Sequence, residues 1–238
     1  MEPSSTGWGC ELSLARMPPP AIERVASVID HTLLDASAGA GDIDRLCGEA
    51  SRFGFAAVCV HGRWVARCAG RTGAARVAAV VSFPHGLDAT SVKEEAALRA
   101  VADGADELDV VIAYALLDED PAAVARDLER VVDAAGGATV KAIVEAPMLT
   151  PAQLDRACGM VAASGAAFAK TGTGTRGPAT VEQVAAKRRA LPGGVAVKAS
   201  GGIRTASDAT ELLDAGAARL GTSAGAEIVK QLDVHAVA

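Results

Sequence analysis

Aromatic residues are scarce in this sequence of 238 residues, since Phe, Trp and Tyr together make up 3%. Aromatic platforms on which nucleic-acid bases stack are therefore nearly excluded. A basic excess is also missing, because 23 Lys and Arg residues stand against 29 Asp and Glu residues and the net charge is −6. This balance argues against a nucleic-acid or anionic-membrane partner, so any anionic ligand has to be bound locally.

Cysteine motifs and long apolar runs are missing as well. The five cysteines are widely spaced with no CxxC pair, which argues against a zinc or dithiol motif and favours a reducing, cytoplasmic location. No apolar run approaches the roughly 20 residues of a membrane helix. Residues 1–20 lack the regions of a signal peptide and are predicted to be a flexible leader. Residues 21–238 are predicted to form a single domain.

Short β-branched runs alternate with Ala-rich amphipathic segments about every 25 to 30 residues, which is the pattern of βα units. The predicted strands are Ser27–Leu33, Ala56–Val60, Arg76–Val81, Glu107–Ile112, Thr139–Val144, Phe168–Thr171, Val195–Ala199 and Arg219–Gly221. Eight such units without a composition break predict an α/β fold, a single-domain (β/α)8 barrel. An open doubly wound sheet is the alternative, but it requires a GxGxxG turn where the chain reads DHTLLD.

Capping signals mark the predicted helices. Three pairs place a hydroxyl at the N-cap and a Glu or Gln three residues later: Ser91 with Glu94, Thr150 with Gln153, and Thr180 with Gln183. Pro121 and Pro151 suit first helical positions, where a missing N–H costs nothing. Glycines that suit left-handed helix ends follow five amphipathic stretches, at Gly54, Gly104, Gly136, Gly165 and Gly216.

Polar residues on the predicted strands are the candidates for chemistry, because barrel enzymes carry their sites at the C-terminal ends of the strands. They are Asp30, Asp109, Lys141, Glu145, Lys170 and Lys198. Lys170 and Lys198 lie on neighbouring strands, about 4.8 Å apart in a parallel sheet. Repulsion and burial would both lower the pKa of a lysine there, which favours a Schiff-base lysine with an activating partner. The alternative is that each lysine extends into solvent.

Glycine-rich loops follow the last three predicted strands and read TGTGT, SGGIR and GTSAG. Glycines let backbone N–H groups approach an anion closely, and barrels often bind phosphate after strands seven and eight. Arg204 and Ser223 add side-chain donors in these loops. The loops therefore predict a phosphate site, with ordinary tight turns as the alternative.

From Ile29 to Gly225 the sequence resembles the deoxyribose-phosphate aldolases. The matching stretches, in order, are IDHTLL, VCV, SFPHG, GADELDVVI, VKAIVEA, AKTGTGT, VKASGGIRT and LGTSAG. The resemblance implies a class I aldolase, without metal or other cofactor, in a homodimer or homotetramer. Its substrate would be a small phosphorylated sugar, 2-deoxy-D-ribose 5-phosphate, cleaved reversibly to D-glyceraldehyde 3-phosphate and acetaldehyde.

The resemblance also implies catalytic roles. Lys170 would form the Schiff base and Lys198 would activate it electrostatically. Asp109 would move protons through a bound water, and Asp30 would belong to the proton network around Lys198. Lys141 would give electrostatic support. The protonated imine is an electron sink, so the C–C bond can break without a metal.

The residues implied in substrate and phosphate binding are Thr171, Thr173, Gly174, Gly201, Gly202, Arg204, Gly221 and Ser223, with Cys59 near the site. Three positions depart from the family pattern. Gly172 stands where many relatives have serine, Thr175 where some have lysine, and Ala224 where many have a second serine. These departures predict weaker binding of the phosphate group.

Two alternatives to this activity stay open at this point. One is an inactive phosphosugar-binding barrel, and the other is a class I aldolase with a different aldehyde specificity. The intact Lys170, Lys198, Asp30 and Asp109 favour an enzyme, because a binding protein has no use for lysines that repel each other. His31 and His85 lack partners at metal-ligand spacing and are expected to pack or hydrogen bond.

Overall fold

The computed structural model describes residues 21–235. Eight parallel strands close into a barrel in chain order. They are β1 Ile29–Leu33, β2 Ala57–His61, β3 Arg76–Val81, β4 Glu107–Val111, β5 Thr139–Ile143, β6 Phe168–Lys170, β7 Ala196–Ser200 and β8 Arg219–Thr222. Because β1 pairs with both β2 and β8, the predicted barrel is confirmed and the open sheet is wrong. The predicted leader, residues 1–20, lies outside the described part of the chain.

Helices surround the barrel. Within residues 21–235 they are α1 Ala21–Ala26, α2 Ala40–Phe53, α3 Val65–Cys68, α4 Thr90–Ala102, α5 Pro121–Ala134, α6 Pro151–Ala163, α7 Val181–Ala190, α8 Ala206–Asp214 and α9 Gly225–His235. Single 3-10 turns at Gly62–Trp64, Tyr114–Leu116 and Ala146–Met148 follow β2, β4 and β5. None of these helices is both long and apolar enough to cross a bilayer.

Most of the predicted boundaries and caps are confirmed. The largest strand difference is at β1, which begins at Ile29 because the N–H groups of Ser27 and Val28 still bond to carbonyls of α1. Thr150 and Thr180 cap α6 and α7 as predicted. Ser91 is not a cap, because Ala89 occupies that position and the carboxylate of its predicted partner Glu94 instead binds Arg130. The five glycines expected at helix ends all have positive φ.

Successive side chains of each strand point alternately to the helices and into the barrel, so the fold has one core outside the barrel and another inside it. On β4, Leu108 and Val110 point to the helices and join the main apolar core, whereas Glu107 and Asp109 enter the barrel. A small apolar group inside the barrel consists of Cys59, Ala78 and Val80. The barrel therefore has an apolar outer layer and a charged centre, and that centre holds the candidate site.

Candidate active site

Asp109 lies at the centre of a buried cluster of lysines. Its Oδ2 atom is 2.7 Å from the Nζ atoms of both Lys170 and Lys198, and its Oδ1 atom is 2.8 Å from Lys141 Nζ. Strand register explains the cluster, since Asp109 pairs with Lys141 and Lys170 pairs with Lys198 across adjacent strands. Side chains at paired positions point the same way, so four neighbouring strands each direct one charge to one point.

Asp30 completes the set of five residues for which the family resemblance implies catalytic roles. Its carboxylate contacts Lys198 Nζ, lies 3.2 Å from Lys141 Nζ and accepts a 2.6 Å hydrogen bond from Arg219. Burial raises the pKa of Asp30, but these three cations outweigh burial and hold it well below its usual value. The pKa of Asp109 is likewise held well below normal, by its three lysines against burial. Both groups are therefore carboxylates at neutral pH.

The expectation that repulsion and burial lower the pKa is wrong for Lys198. Burial does lower the pKa of Lys198, but Asp109 and Asp30 raise it above its usual value. The pKa of Lys141 lies well above normal for the same reason, with Glu107 adding to the two aspartates. Carboxylates stand between the lysines, so attraction exceeds repulsion and both groups keep their charge.

Glu107 and Arg219 are two buried residues of this network that the sequence analysis missed. Glu107 contacts Lys141 and accepts a 2.9 Å hydrogen bond from Arg76, while Arg219 lies 3.5 Å from Glu107. The guanidinium also lies 5.6 Å from the ring centre of Phe168. A signal existed, because Glu107 precedes Asp109 by two residues and the side chains on one face of a strand recur every second residue.

Lys170 differs from the other two lysines in its exposure and its partners. Its side chain is 3% exposed, whereas those of Lys141 and Lys198 are fully buried. It contacts one carboxylate, that of Asp109, whereas Lys141 contacts three and Lys198 two. Lys170 is thus the lysine of the cluster with the fewest carboxylate contacts and the one whose side chain keeps a small exposed fraction.

A cavity of about 490 Å³ is formed by the loops that follow β1, β6, β7 and β8. Seven of the predicted binding residues line it: Thr173, Gly174, Gly201, Gly202, Arg204, Gly221 and Ser223. The backbones of two loops nearly touch at its wall, because a Cβ on Gly201 would lie 2.9 Å from Gly177 O and 3.0 Å from Gly174 Cα. With φ of 106° at Gly201, only glycine suits this position.

The comparisons with known proteins agree with this geometry. The family model of the DeoC/LacD family aldolases matches residues 24–231. The chain belongs to this family. Its resemblance to the deoxyribose-phosphate aldolases, predicted from the motifs, is thereby confirmed.

Individual members of the family match over most of their length. Deoxyribose-phosphate aldolase 1 of Bacillus licheniformis is 41% identical over 215 residues, which cover 88% of this chain and 96% of that protein. Deoxyribose-phosphate aldolase of Thermosynechococcus vestitus is 45% identical over 210 residues, 87% of this chain and 96% of that protein. The tetrameric deoxyribose phosphate aldolase from Aeropyrum pernix has a TM-score of 0.83 and 32% identity, covering 90% of this chain and 92% of that chain.

Two of the residues selected by family resemblance lie behind the cavity wall. Thr171 is buried, and its Oγ1 donates to Ser200 O at 3.1 Å and accepts the Ser200 N–H at 2.9 Å. Cys59 is buried inside the barrel, where its Sγ donates to Asp109 Oδ2 at 3.9 Å. Burial, together with the Asp109 charge, raises the pKa of Cys59. Thr171 therefore fastens β6 to β7, and Cys59 is a neutral thiol beside Asp109.

Glu145 supports the loop after Lys170. It is fully buried and has a φ of 55°, and its carboxylate accepts the Thr173 N–H at 3.2 and 3.3 Å. A Cβ at Gly172 would lie 2.7 Å from Glu145 Oε1, so the glycine that departs from the family pattern lies against this carboxylate. Glu145 thus fixes one wall of the cavity.

His31 contacts a carboxylate and an aromatic ring in the structure. Its Nε2 lies 2.6 Å from Glu49 Oε2, and its ring lies 5.0 Å from that of Phe55, as expected of a histidine used for packing. In residues 21–235, His, Cys, Asp and Glu side chains form no group of three or more that could hold a metal ion.

Proposed function

We propose that the protein is a class I aldolase that reversibly cleaves 2-deoxy-D-ribose 5-phosphate to D-glyceraldehyde 3-phosphate and acetaldehyde. The observation that carries this proposal is the position of Lys170. It is the lysine of the barrel cluster that keeps a small exposed fraction, 3% of its side chain, and it contacts Asp109. It ends β6, and the loop that follows β6 lines the glycine-rich cavity through Thr173 and Gly174. Names of relatives that are 41% to 45% identical over most of this chain support the substrate.

The reaction begins at the Lys170 amine. The free amine attacks the C1 aldehyde of the open-chain sugar, and loss of water from the carbinolamine gives a protonated imine. This imine accepts the electron pair of the C2–C3 bond as that bond breaks and the C3 hydroxyl loses its proton. Glyceraldehyde 3-phosphate leaves, C2 of the remaining enamine takes up a proton, and water releases acetaldehyde. No metal and no other cofactor is part of this chemistry.

The charged residues around Lys170 have separate roles in the proposal. Asp109 orients Lys170 and passes protons through water between the amine and the carbinolamine oxygen. With Lys170 as a neutral amine, the three remaining buried cations, Lys141, Lys198 and Arg219, balance the three carboxylates, Asp30, Glu107 and Asp109. Arg76, which also contacts Glu107, is exposed to solvent. This balance lets the cluster hold a free amine without a surplus of buried charge.

The 5-phosphate lies in the glycine loops at the other end of the cavity. Backbone N–H groups of Gly201 and Gly202 bind its oxygens, with Arg204 and Ser223 as side-chain donors, and Glu145 holds the opposite loop through Thr173. Thr175 and Ala224 supply neither of the groups found there in some relatives. The preference for phosphorylated over unphosphorylated substrate is therefore modest.

Reductive trapping tests the proposal. Sodium borohydride added with acetaldehyde should attach a stable adduct to Lys170, because reduction converts an imine to a secondary amine. Peptide mass mapping locates the adduct, and a coupled assay measures acetaldehyde released from the substrate. Lys170→Met should abolish both the adduct and the activity. An adduct confined to Lys141 or Lys198, or trapping without turnover of deoxyribose 5-phosphate, would contradict it.

We extend the proposal to the oligomeric state and the cellular location of the protein. The chain forms a homodimer or a homotetramer, supported by the tetrameric Aeropyrum pernix relative. It acts in the cytoplasm, supported by the four free cysteines in the described part of the chain.

A further inference from the structure

Arg219 is a buried cation at the end of the barrel opposite to the substrate cavity. It is the first residue of β8, and its side chain is 10% exposed. Together with Arg76 and residues that precede β1, β2 and β3, it lines a separate cavity of about 250 Å³ at the N-terminal ends of the strands. Arg219 does not line the substrate cavity, and no hydrogen bond joins it to Lys170 in the described part of the chain. Any effect of Arg219 on the chemistry therefore passes through other residues.

Strand register aligns Arg219 with two lysines of the active-site cluster. Lys170 of β6 pairs with Lys198 of β7, and Lys198 pairs with Arg219 of β8. Side chains at paired positions of parallel strands point to the same face, so all three cations enter the barrel. Arg219 contacts Asp30 at 2.6 Å, and Asp30 contacts Lys198. Lys198 in turn shares the Oδ2 atom of Asp109 with Lys170. A continuous chain of ion pairs thus joins Arg219 to Lys170.

Strands β1 and β4 to β8 each direct a buried charged group into the barrel. These groups are Asp30, Glu107, Asp109, Lys141, Lys170, Lys198 and Arg219. On β2, Cys59 keeps its proton, because burial and the Asp109 charge raise its pKa. On β3, Arg76 contacts Glu107, but its side chain is 55% exposed. Four further charged or titratable groups lie at or beyond the C-terminal ends of the strands and form no ion pair with this set, namely Asp35, His61, Glu145 and Arg204.

The balance of these buried charges depends on Arg219. Three carboxylates face three cations other than Lys170, and Arg219 is one of the three. Without it, two cations would face three carboxylates, and the cluster would take up a proton, because an uncompensated buried charge is costly. Lys170 is the site for this proton, since a lysine amine in water binds a proton more tightly than a carboxylate by about six pKa units. Loss of Arg219 would therefore turn the nucleophile into an ammonium group.

We infer that Arg219 is a positioning residue that keeps the Lys170 amine free for imine formation, by supplying a permanent cation to the buried carboxylates from the opposite end of the barrel. The inference rests on the proposed role of Lys170 as the Schiff-base lysine. Arginine suits this task because a guanidinium stays charged throughout the pH range of the enzyme. Burial lowers the pKa of Arg219, but Asp30 and Glu107 raise it above its usual value. Arg219 therefore does not titrate together with Lys170.

The pH dependence of imine formation on Lys170 tests the inference. The full-length wild type and its variants react with acetaldehyde, which has no titratable group, and sodium borohydride stops the reaction at successive times. Peptide mass mapping then measures the Lys170 adduct, and a difference between two pH profiles reports on the protein because the reagents are the same. Arg219→Gln removes the charge but keeps an amide that can donate to Asp30. The midpoint of its profile should move up by about one pH unit, the low end of the effect of a nearby charge, which is about a tenfold lower rate below the midpoint.

Three further variants test the charge balance itself. Arg219→Lys keeps the cation and should keep the wild-type profile. The double variant Arg219→Gln with Glu107→Gln removes one cation and one carboxylate, so its midpoint should return to that of the wild type. Arg76→Gln is the matched control, because Arg76 also contacts Glu107 but is exposed to solvent, and it should leave the profile unchanged. A merely structural role of Arg219 predicts no rescue by a second substitution.

Glu107→Gln alone changes the balance in the opposite direction. The buried cations then outnumber the carboxylates, so the midpoint should move down, and this variant decides the matter if Arg219→Gln does not fold. An unchanged midpoint in Arg219→Gln, a double variant no closer to the wild type than the single one, or a midpoint that does not fall in Glu107→Gln would overturn the inference while the proposed function stands. A wild type that forms no adduct on Lys170 would overturn the proposed function and this inference with it.

Discussion

Buried lysines in two regions of this molecule meet opposite conditions. Inside the barrel, Lys141, Lys170 and Lys198 each contact at least one carboxylate. In the helical layer, Lys187 of α7 is 0% exposed and its Nζ has no hydrogen-bond partner among the described residues. Burial lowers the pKa of a lysine, and it lowers that of Lys187 to about 8, whereas carboxylates lift the pKa values of Lys141 and Lys198 above normal. The partner, and not the depth of burial, decides whether a buried lysine keeps its charge.

Lys93 shows that the helical layer can also hold a buried lysine with a carboxylate partner. It is 1% exposed on α4, and its Nζ donates to Asp127 Oδ2 at 2.6 Å and to Val111 O at 3.2 Å. Lys93 and Lys187 are thus about equally buried in the helical layer. Among the described residues, Lys93 contacts a carboxylate and Lys187 does not. This pair allows the effect of the partner to be measured apart from the effect of catalysis.

The largest effect is expected from substitution of Asp109, whose carboxylate contacts three lysines. Asp109→Asn should lower kcat by about 10²- to 10⁴-fold, the usual range for loss of a group that transfers protons. It should also destabilise the fold by about 3–5 kcal/mol, because buried ammonium groups lose their counter-charge. Activity assays and urea unfolding measure the two effects. Activity close to that of the wild type would show that Asp109 has neither role.

Removal of Lys198 tests how the remaining lysines share Asp109. Lys198→Leu leaves the Asp109 carboxylate to Lys141 and Lys170, and it removes the cation that shares Asp109 Oδ2 with Lys170. We expect a loss of about 10²-fold in kcat/KM at pH 7, with part of the activity regained as the pH rises. The experiment is a pH–rate profile beside the wild type. A profile of wild-type shape, merely scaled down, would mean that Lys198 acts by proton transfer or positioning.

The fold and the site could be predicted from the sequence to different depths. Strands buried on both faces are continuously apolar, so eight of them could be counted, and polar residues within these strands revealed Asp30, Asp109, Lys141, Lys170 and Lys198. The sign of the pKa change at Lys198 could not be predicted, because it depends on strand register that places Asp109 and Asp30 against it. Lys187 gave no signal, since it begins the run KRR, which is typical of an exposed helix end.

The partnered lysine of the helical layer should stabilise the fold. Lys93→Met leaves the Asp127 carboxylate without its cation and frees the carbonyl of Val111 at the end of β4. We expect a loss of about 3–5 kcal/mol in the free energy of unfolding, the usual result of breaking a buried ion pair from one side. Urea denaturation at pH 7 measures it. Because Asp127 is slightly exposed, a loss well below this range would mean that water replaces Lys93.

Substitution of the unpartnered lysine, Lys187, should have the opposite effect on stability, and the size of this effect should depend on pH. The pKa of Lys187 falls from 10.5 to about 8 on folding, so the folded chain binds the proton less tightly than the unfolded chain. At 1.36 kcal/mol per pKa unit, the cost of burying this ammonium is about 3 kcal/mol below pH 8 and fades between pH 8 and 10.5. Lys187→Met should therefore be more stable than the wild type by up to about 3 kcal/mol at pH 7 and by nearly nothing at pH 10.5. Aldolase activity should not change, because Lys187 lies on α7 and does not line the cavity. A gain that stays constant with pH would show that methionine merely packs better there, and a loss at pH 7 would show that Lys187 has a partner in solution.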